Sequence, residues 1–155
     1  MEKNSVSYLS SYSISIFALG LFAGVLLDIF FPYHFMSEPL NKTIGLLTVI
    51  LATTLIYWSE KHGNEYSKKR KGGEVSHVDH MRSGPYKYTR NPKYLGLALL
   101  LIGLGIILNS LFIILSSVAS GLIIHFFFIT KEEALLTERH GEIYKEYKGK
   151  VRKWF

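Results

Sequence analysis

Two groups of residues in this 155-residue chain combine types that could hold a ligand and act on it. The first is Gly84-Pro85-Tyr86-Lys87-Tyr88-Thr89-Arg90-Asn91-Pro92-Lys93-Tyr94-Leu95-Gly96. It sets prolines, tyrosines and an arginine just ahead of an apolar run. Pro92 suits the first turn of a helix, where a missing N–H costs nothing. The free N–H groups of that turn can bind an anion or carboxylate, and tyrosine faces can hold a cation. The same residues also read as an interfacial aromatic belt with a helix cap. The second group is Glu132-Glu133. Adjacent carboxylates point to different sides of a helix, and a helix ending there would disfavour both through its dipole. A helix continuing through Lys131–Lys148 removes that objection. Glu146 and Lys150 then form an i,i+4 pair, and Leu135, Leu136, Ile143, Tyr144 and Tyr147 make a partial apolar face. That leaves one glutamate for a cationic ligand.

Other residues carry less. His77 and His80 would share a helix face, but no third and fourth ligands stand at useful spacing, so no metal site is expected. His125 lies inside an apolar segment, where an unpaired imidazole is costly. It either hydrogen-bonds within the bundle or serves the site, being on the helix that leads to Glu132. Asp28 can reach the interface and needs no functional role. The run Lys68-Lys69-Arg70-Lys71-Gly72-Gly73 suits anionic headgroups. No folded reading surface accompanies it, so nucleic acid is not an expected partner. Gly20, Gly24, Gly96, Gly103 and Gly105 suit close helix packing. Gly103-Leu104-Gly105 is no dinucleotide loop, because no strand precedes it.

The elements that must position these groups are membrane helices. Charged residues make up 19% of the chain, below the ~25% usual in soluble domains. The 37 residues from Tyr94 to Thr130 carry no charge at all. High hydrophobicity excludes disorder. The lack of cysteine excludes a disulfide-stapled fold and a cysteine-ligated metal. A bilayer core needs about 20 apolar residues in a helix. The runs 8–31, 40–58, 94–108 and 111–130 qualify or nearly so. Asn109-Ser110 is the only polar break between the last two, which predicts a tight hairpin that need not reach the far surface. Lys3 ahead of an apolar run resembles a signal peptide, but no small-residue cleavage site follows.

The expected fold is therefore all-α and polytopic, a single membrane domain over 1–155. Two N-terminal helices (1–60) precede a cytoplasmic loop (61–93), a transmembrane hairpin (94–130) and a cytoplasmic, helical tail (131–155). Orientation follows from charge. The net charge of +6 resolves into −2 for 1–60, +6 for 61–93, zero for 94–130 and +2 for 131–155. The positive-inside rule then places loop, tail and both termini in the cytoplasm. The hairpin brings the tyrosine cluster and Glu132 to one membrane face.

The order and spacing of the motifs carry a resemblance. Gly84-Pro85-Tyr86, Arg90-Asn91-Pro92-x-Tyr94-x-Gly96, an apolar hairpin, Glu132-Glu133-x-x-Leu136, then Gly141-x-x-Tyr144-x-x-Tyr147 and Val151 are similar to the C-terminal half of the isoprenylcysteine carboxyl methyltransferase and phospholipid methyltransferase superfamily. The resemblance covers residues from about 77 onward; the first two helices match only as generic spans. It implies an integral-membrane methyltransferase that uses S-adenosylmethionine at the cytosolic membrane face. It implies cofactor contacts from His77, Tyr86, Asn91, Pro92, Lys93, Tyr94, Glu132 and Glu133. His77 stands one residue out of register with a family histidine, and His80-Met81 replaces an apolar pair. Many members have histidine where this chain has Asn91, and asparagine carries no charge at neutral pH. Isoprenylcysteine enzymes place an arginine one turn before the glutamates to grip a carboxylate; here that position is Phe128. Arg90 is the residue left to take such a role, with His125 near the acceptor.

Methyl transfer from a sulfonium is an in-line displacement that alignment and desolvation can accelerate. The expected acceptor is a lipophilic molecule entering from the bilayer: a prenylcysteine-like carboxylate, a phospholipid amine or a small hydrophobic molecule. The short chain suggests a prokaryotic plasma membrane. The competing readings are an NADPH-dependent membrane reductase of the sterol reductase type, a small four-helix transporter using Asp28, and a scaffold that has kept the fold without catalysis.

Overall fold

The computed structural model describes residues 4–71, 81 and 83–154. Among them every regular element is helical. In order these are α1 (Asn4–Phe30), α2 (Leu40–Lys71), a 3-10 turn (Gly84–Lys87), α3 (Pro92–Ile107), α4 (Leu111–Ile123), a π-helical segment (Ile124–Ile129), α5 (Thr130–His140) and α6 (Glu142–Lys150). His77 and His80 lie outside the described residues.

Three helical stretches are long and apolar enough to cross a bilayer: Tyr12–Phe30, Leu40–Tyr66 and Leu111–His140. The last runs unbroken through α4, the π segment and α5. α3 is apolar but has only 16 residues, about 24 Å at the usual helical rise. Leu19, Phe22, Leu47, Leu51, Leu122 and Phe127 are all exposed. Large apolar surface of that extent suits lipid rather than water.

α2 packs along α3, α1 packs along α4, and the α3–α4 hairpin joins the two pairs. Glycines permit the approach, as their spacing predicts. A Cβ on Gly103 would meet Val49 Cγ2 at 2.8 Å, and one on Gly96 would meet Ile56 Cγ1 at 2.6 Å. On α1, a Cβ at Gly24 would come within 2.8 Å of Ile113 Cα. Lipid offers little hydrophobic driving force between helices, so this close backbone contact is what holds them.

The Asn109-Ser110 break makes the hairpin turn. Asn109 adopts φ of 55°, a conformation asparagine tolerates. Its Oδ1 accepts from Phe35 N at 3.2 Å and Met36 N at 3.0 Å, and its Nδ2 donates to Met36 O at 2.7 Å. Ser110 caps α4 by accepting from Ile113 N. The hairpin therefore reaches the α1–α2 connection instead of stopping short of it.

Two expectations change. α2 continues past Trp58 to Lys71, so the first part of the 61–93 loop is helix. The tail is not one helix either. Gly141, at φ of 56°, ends α5, and α6 starts afresh. That turn buries Tyr144 and Tyr147 against Met81 and Leu136, while Ile143 is exposed.

Candidate functional site

The site lies where α3 and the π segment emerge from the bundle. Its entry loop is set by Gly84, whose φ is 58°. A side chain there would strike the His62 ring, since a Cβ would lie 2.7 Å from it. The 3-10 turn that follows presents Tyr86. The Tyr86 hydroxyl lies 3.4 Å from Ser59 Oγ, and its carbonyl accepts from Tyr147 Oη at 2.7 Å. Burial pushes its hydroxyl above the usual 10.0, which keeps it protonated. Pro92 opens α3 as its position predicts. Lys93 leans toward α2 and pairs with Glu60 at 2.6 Å.

A strap from the C-terminal tail ties this loop down. Arg90 N donates to Arg152 O at 3.1 Å, and Thr89 Oγ1 to Lys153 O at 3.1 Å. Asn91 Nδ2 also donates to Lys153 O, at 3.0 Å. Asn91 thus places its amide on the tail rather than capping α3.

The two glutamates part company. Glu132 Oε2 accepts from the buried Tyr94 Oη at 3.1 Å. Among the described residues Glu132 forms no ion pair. Glu133 is buried and faces three cations: Arg90 Nη2 at 2.9 Å, Lys148 Nζ at 3.5 Å and Lys153 Nζ at 3.8 Å. Arg90 Nη1 also donates to Lys148 O at 2.9 Å. Arg90, expected to face substrate, is thereby committed to joining the loop, α5 and α6. Its Nε is buried without a partner among the described residues.

Three cavities adjoin these residues. A polar cavity of about 190 Å³ is lined by Met81, Tyr86, Arg90, Asn91, Glu132, Glu133, Leu136, Tyr144 and Tyr147. Another of about 110 Å³ shares Tyr86, Arg90, Asn91 and Glu132, and adds Pro92, Lys93 and Tyr94. Tyr86, Asn91, Pro92, Lys93, Tyr94, Glu132 and Glu133, the expected cofactor contacts among the described residues, each line at least one of the two. The third cavity, about 500 Å³, is apolar and lies between α3 and α4. His125 lines it, together with residues that include Leu95, Ser117, Phe126 and Trp154. His125 therefore sits away from the two polar cavities.

Trp154 is the participant that the sequence motifs do not reveal. Its Nε1 donates to His125 Nδ1 at 2.8 Å, and the two rings lie nearly coplanar with centroids 5.9 Å apart. A tryptophan in a basic tail needs an apolar seat, and that is its one sequence signal. The π segment was equally unmarked; Thr130 Oγ1 bonds the His125 carbonyl across it at 3.2 Å. Phe128, at the position where isoprenylcysteine enzymes place arginine, packs into the core cluster that contains Tyr94 and Ile124. Among the described residues no three metal-ligating side chains come together.

No curated protein and no solved structure matches the chain. The family model described as phospholipid methyltransferase matches residues 40–143. That match takes in α2, which the motifs alone treat as a generic span, with the entry loop, the hairpin and both glutamates. This integral-membrane protein, two-thirds of whose length fits that model, belongs to the phospholipid methyltransferase family, within the superfamily of integral-membrane isoprenylcysteine carboxyl and phospholipid methyltransferases.

Proposed function

We propose that this protein transfers a methyl group from S-adenosylmethionine to a lipophilic acceptor drawn from the bilayer. The observation that carries the reading is a pair of unlike sites on shared helices. Tyr94 lines a polar cavity and its neighbour Leu95 lines the apolar one. Glu132 and His125 are divided the same way along the other helix.

The residues present fit the cofactor. A sulfonium needs a carboxylate and aromatic faces. Glu132 is a carboxylate without an ion-pair partner among the described residues, and Tyr86, Tyr144 and Tyr147 line its cavity. The unpartnered Arg90 Nε–H suits an anionic end such as a carboxylate. Asn91 adds a hydrogen-bonding amide without charge.

When bound, S-adenosylmethionine supplies an electrophilic methyl whose leaving group is a neutral thioether. The protein's part is alignment and exclusion of water. Tyr94 orients Glu132 through its hydroxyl. The tail strap and the Glu133 ion pairs fix the loop that carries Tyr86 and Asn91. Met81, Leu136, Tyr144 and Tyr147 pack together and shield the polar cavity. The acceptor enters sideways between α3 and α4. By the positive-inside rule the polar cavities face the cytoplasm, with both termini.

Glu132→Ala should abolish binding of S-adenosylhomocysteine, measured by calorimetry on the protein in detergent. Unchanged affinity would remove Glu132 from the site. Thermal stabilisation by NADPH instead of S-adenosylhomocysteine would move the protein to a reductase.

A further inference from the structure

We infer that Trp154 holds His125 in the Nε2–H tautomer and so makes it a hydrogen-bond donor, not a base, at the apolar cavity. The inference rests on reading that cavity as the acceptor site, and it specifies what the acceptor must present there.

The argument begins with the indole. Its nitrogen carries one hydrogen and offers no lone pair. Trp154 Nε1 lies 2.8 Å from His125 Nδ1, so Nδ1 accepts. A neutral imidazole then carries its proton on Nε2. Nε2 has no hydrogen-bond partner among the described residues. The ring is also fixed in place. It lies nearly coplanar with the Trp154 indole, at an interplanar angle of 21°, and meets Phe126 edge-on with centroids 4.9 Å apart.

The other polar hydrogens of the cavity lining are spent. Ser117 Oγ donates to Ala98 O at 3.0 Å, and the indole N–H is given to His125. The side chains around them are mostly aliphatic or aromatic. Among the described residues, His125 Nε2–H is therefore the one side-chain donor this lining has left. A donor left unpartnered against an apolar lining is costly. The ligand that best fills the cavity brings an accepting oxygen to it: a carbonyl, ester, phosphoryl or carboxylate group on a lipophilic body. An N–H or S–H group finds no base in His125, because the only lone pair on the ring is engaged. Trp154 is a positioning residue in this scheme. It is held by the strap through Arg152 and Lys153, which ends on Thr89, Arg90 and Asn91.

The direct test is a ¹⁵N spectrum of the full chain in micelles, labelled at its six histidines. The His125 signals are assigned by their loss in H125Q. Protonated Nε2 and bare Nδ1 in the wild type support the inference; a proton on Nδ1 overturns it. W154F keeps an aromatic ring and removes the N–H. It should give a mixture of tautomers, and an unchanged spectrum overturns the role of Trp154. If W154F does not fold, the wild-type spectrum still decides.

The functional arm measures transfer of label from methyl-labelled S-adenosylmethionine to a total membrane lipid extract. W154F and H125L should raise the extract needed for half-maximal labelling by about threefold to tenfold, the effect of one hydrogen bond. H125Q, which retains a donor, should fall between the wild type and H125L. Affinity for S-adenosylhomocysteine should hold in all of them. Equal half-saturation in wild type, W154F and H125L overturns the inference. A wild type that binds no S-adenosylhomocysteine and labels nothing refutes methyl transfer instead, and the spectrum still settles the tautomer.

Discussion

Replacing Glu133 with alanine should cost the fold, whereas replacing Glu132 should cost the ligand. The Glu133 side chain is 9% exposed and the Arg90 side chain 10%, with 2.9 Å between their charged atoms. Alanine at 133 leaves Arg90 buried without a counter-ion. Breaking one side of a buried pair costs about 3–5 kcal/mol. Lys148 and Lys153 add little, because their side chains are 37% and 25% exposed and solvent screens them. Against a net stability of about 5–15 kcal/mol the loss is large. Glu132→Ala removes one hydrogen bond from Tyr94, worth about 1 kcal/mol. The assay is denaturant or thermal unfolding of the full chain in micelles without ligand, beside calorimetry with S-adenosylhomocysteine. A third variant, R90M/E133L, should recover much of the stability lost in E133A, since apolar replacement of a buried pair is often nearly neutral. The reasoning fails if E133A unfolds within about 1 kcal/mol of wild type. It fails equally if E132A and E133A give the same pattern in both assays.

Asn109→Ala should destabilise by about 2–4 kcal/mol, from three lost hydrogen bonds and a strained positive φ. Asn109→Gly should recover only the strain; wild-type unfolding of N109A would contradict the pinning of the hairpin tip. Stability should also fall in alkali. Burial, the largest influence on each, raises the hydroxyls of Tyr86, Tyr144 and Tyr147 above 10.0. The folded chain then holds protons that the unfolded chain releases, so this stability is complete below about pH 10 and declines as pH climbs beyond it. Unfolding midpoints measured between about pH 8 and about pH 11 should show the decline, and Y144F/Y147F should flatten it. A wild-type profile flat through that range would count against the burial of these hydroxyls.

The parts legible in the sequence are those that single residues or periodic patterns encode. The uncharged run from Tyr94 to Thr130 gives the hairpin, and Asn109-Ser110 gives its turn. Gly24, Gly96 and Gly103 mark the helix contacts. The loop and Glu132 converge because a hairpin returns the chain to its starting face. The less legible parts depend on backbone groups and on partners distant in sequence. Asn91 and Thr89 both bond the carbonyl of Lys153, an atom that every residue type carries. Arg90 looks free for substrate until folding supplies Glu133, because only the fold shows which of two adjacent carboxylates an arginine reaches. Trp154 carries no motif, and its value lies in the histidine it meets. The π segment has no glycine or proline to announce it.

That segment explains how one helix serves two unlike cavities. Residues seven apart lie on nearly the same face of an α-helix, so His125 and Glu132 would point the same way along an unbroken one. A π turn closes from i to i+5 and takes up an added residue, about 100° of helix face. Here it occupies Ile124–Ile129, so it contains His125 and the extra residue is taken up before the chain reaches Glu132. His125 can then face the apolar cavity with Trp154 while Glu132 meets Tyr94. Glu133, one residue further round, reaches Arg90 and the tail. The tail completes the arrangement, since Lys153 contacts the loop of the polar cavities and Trp154 lines the apolar one. Two adjacent residues of one strap, Lys153 and Trp154, therefore hold the walls of both cavities.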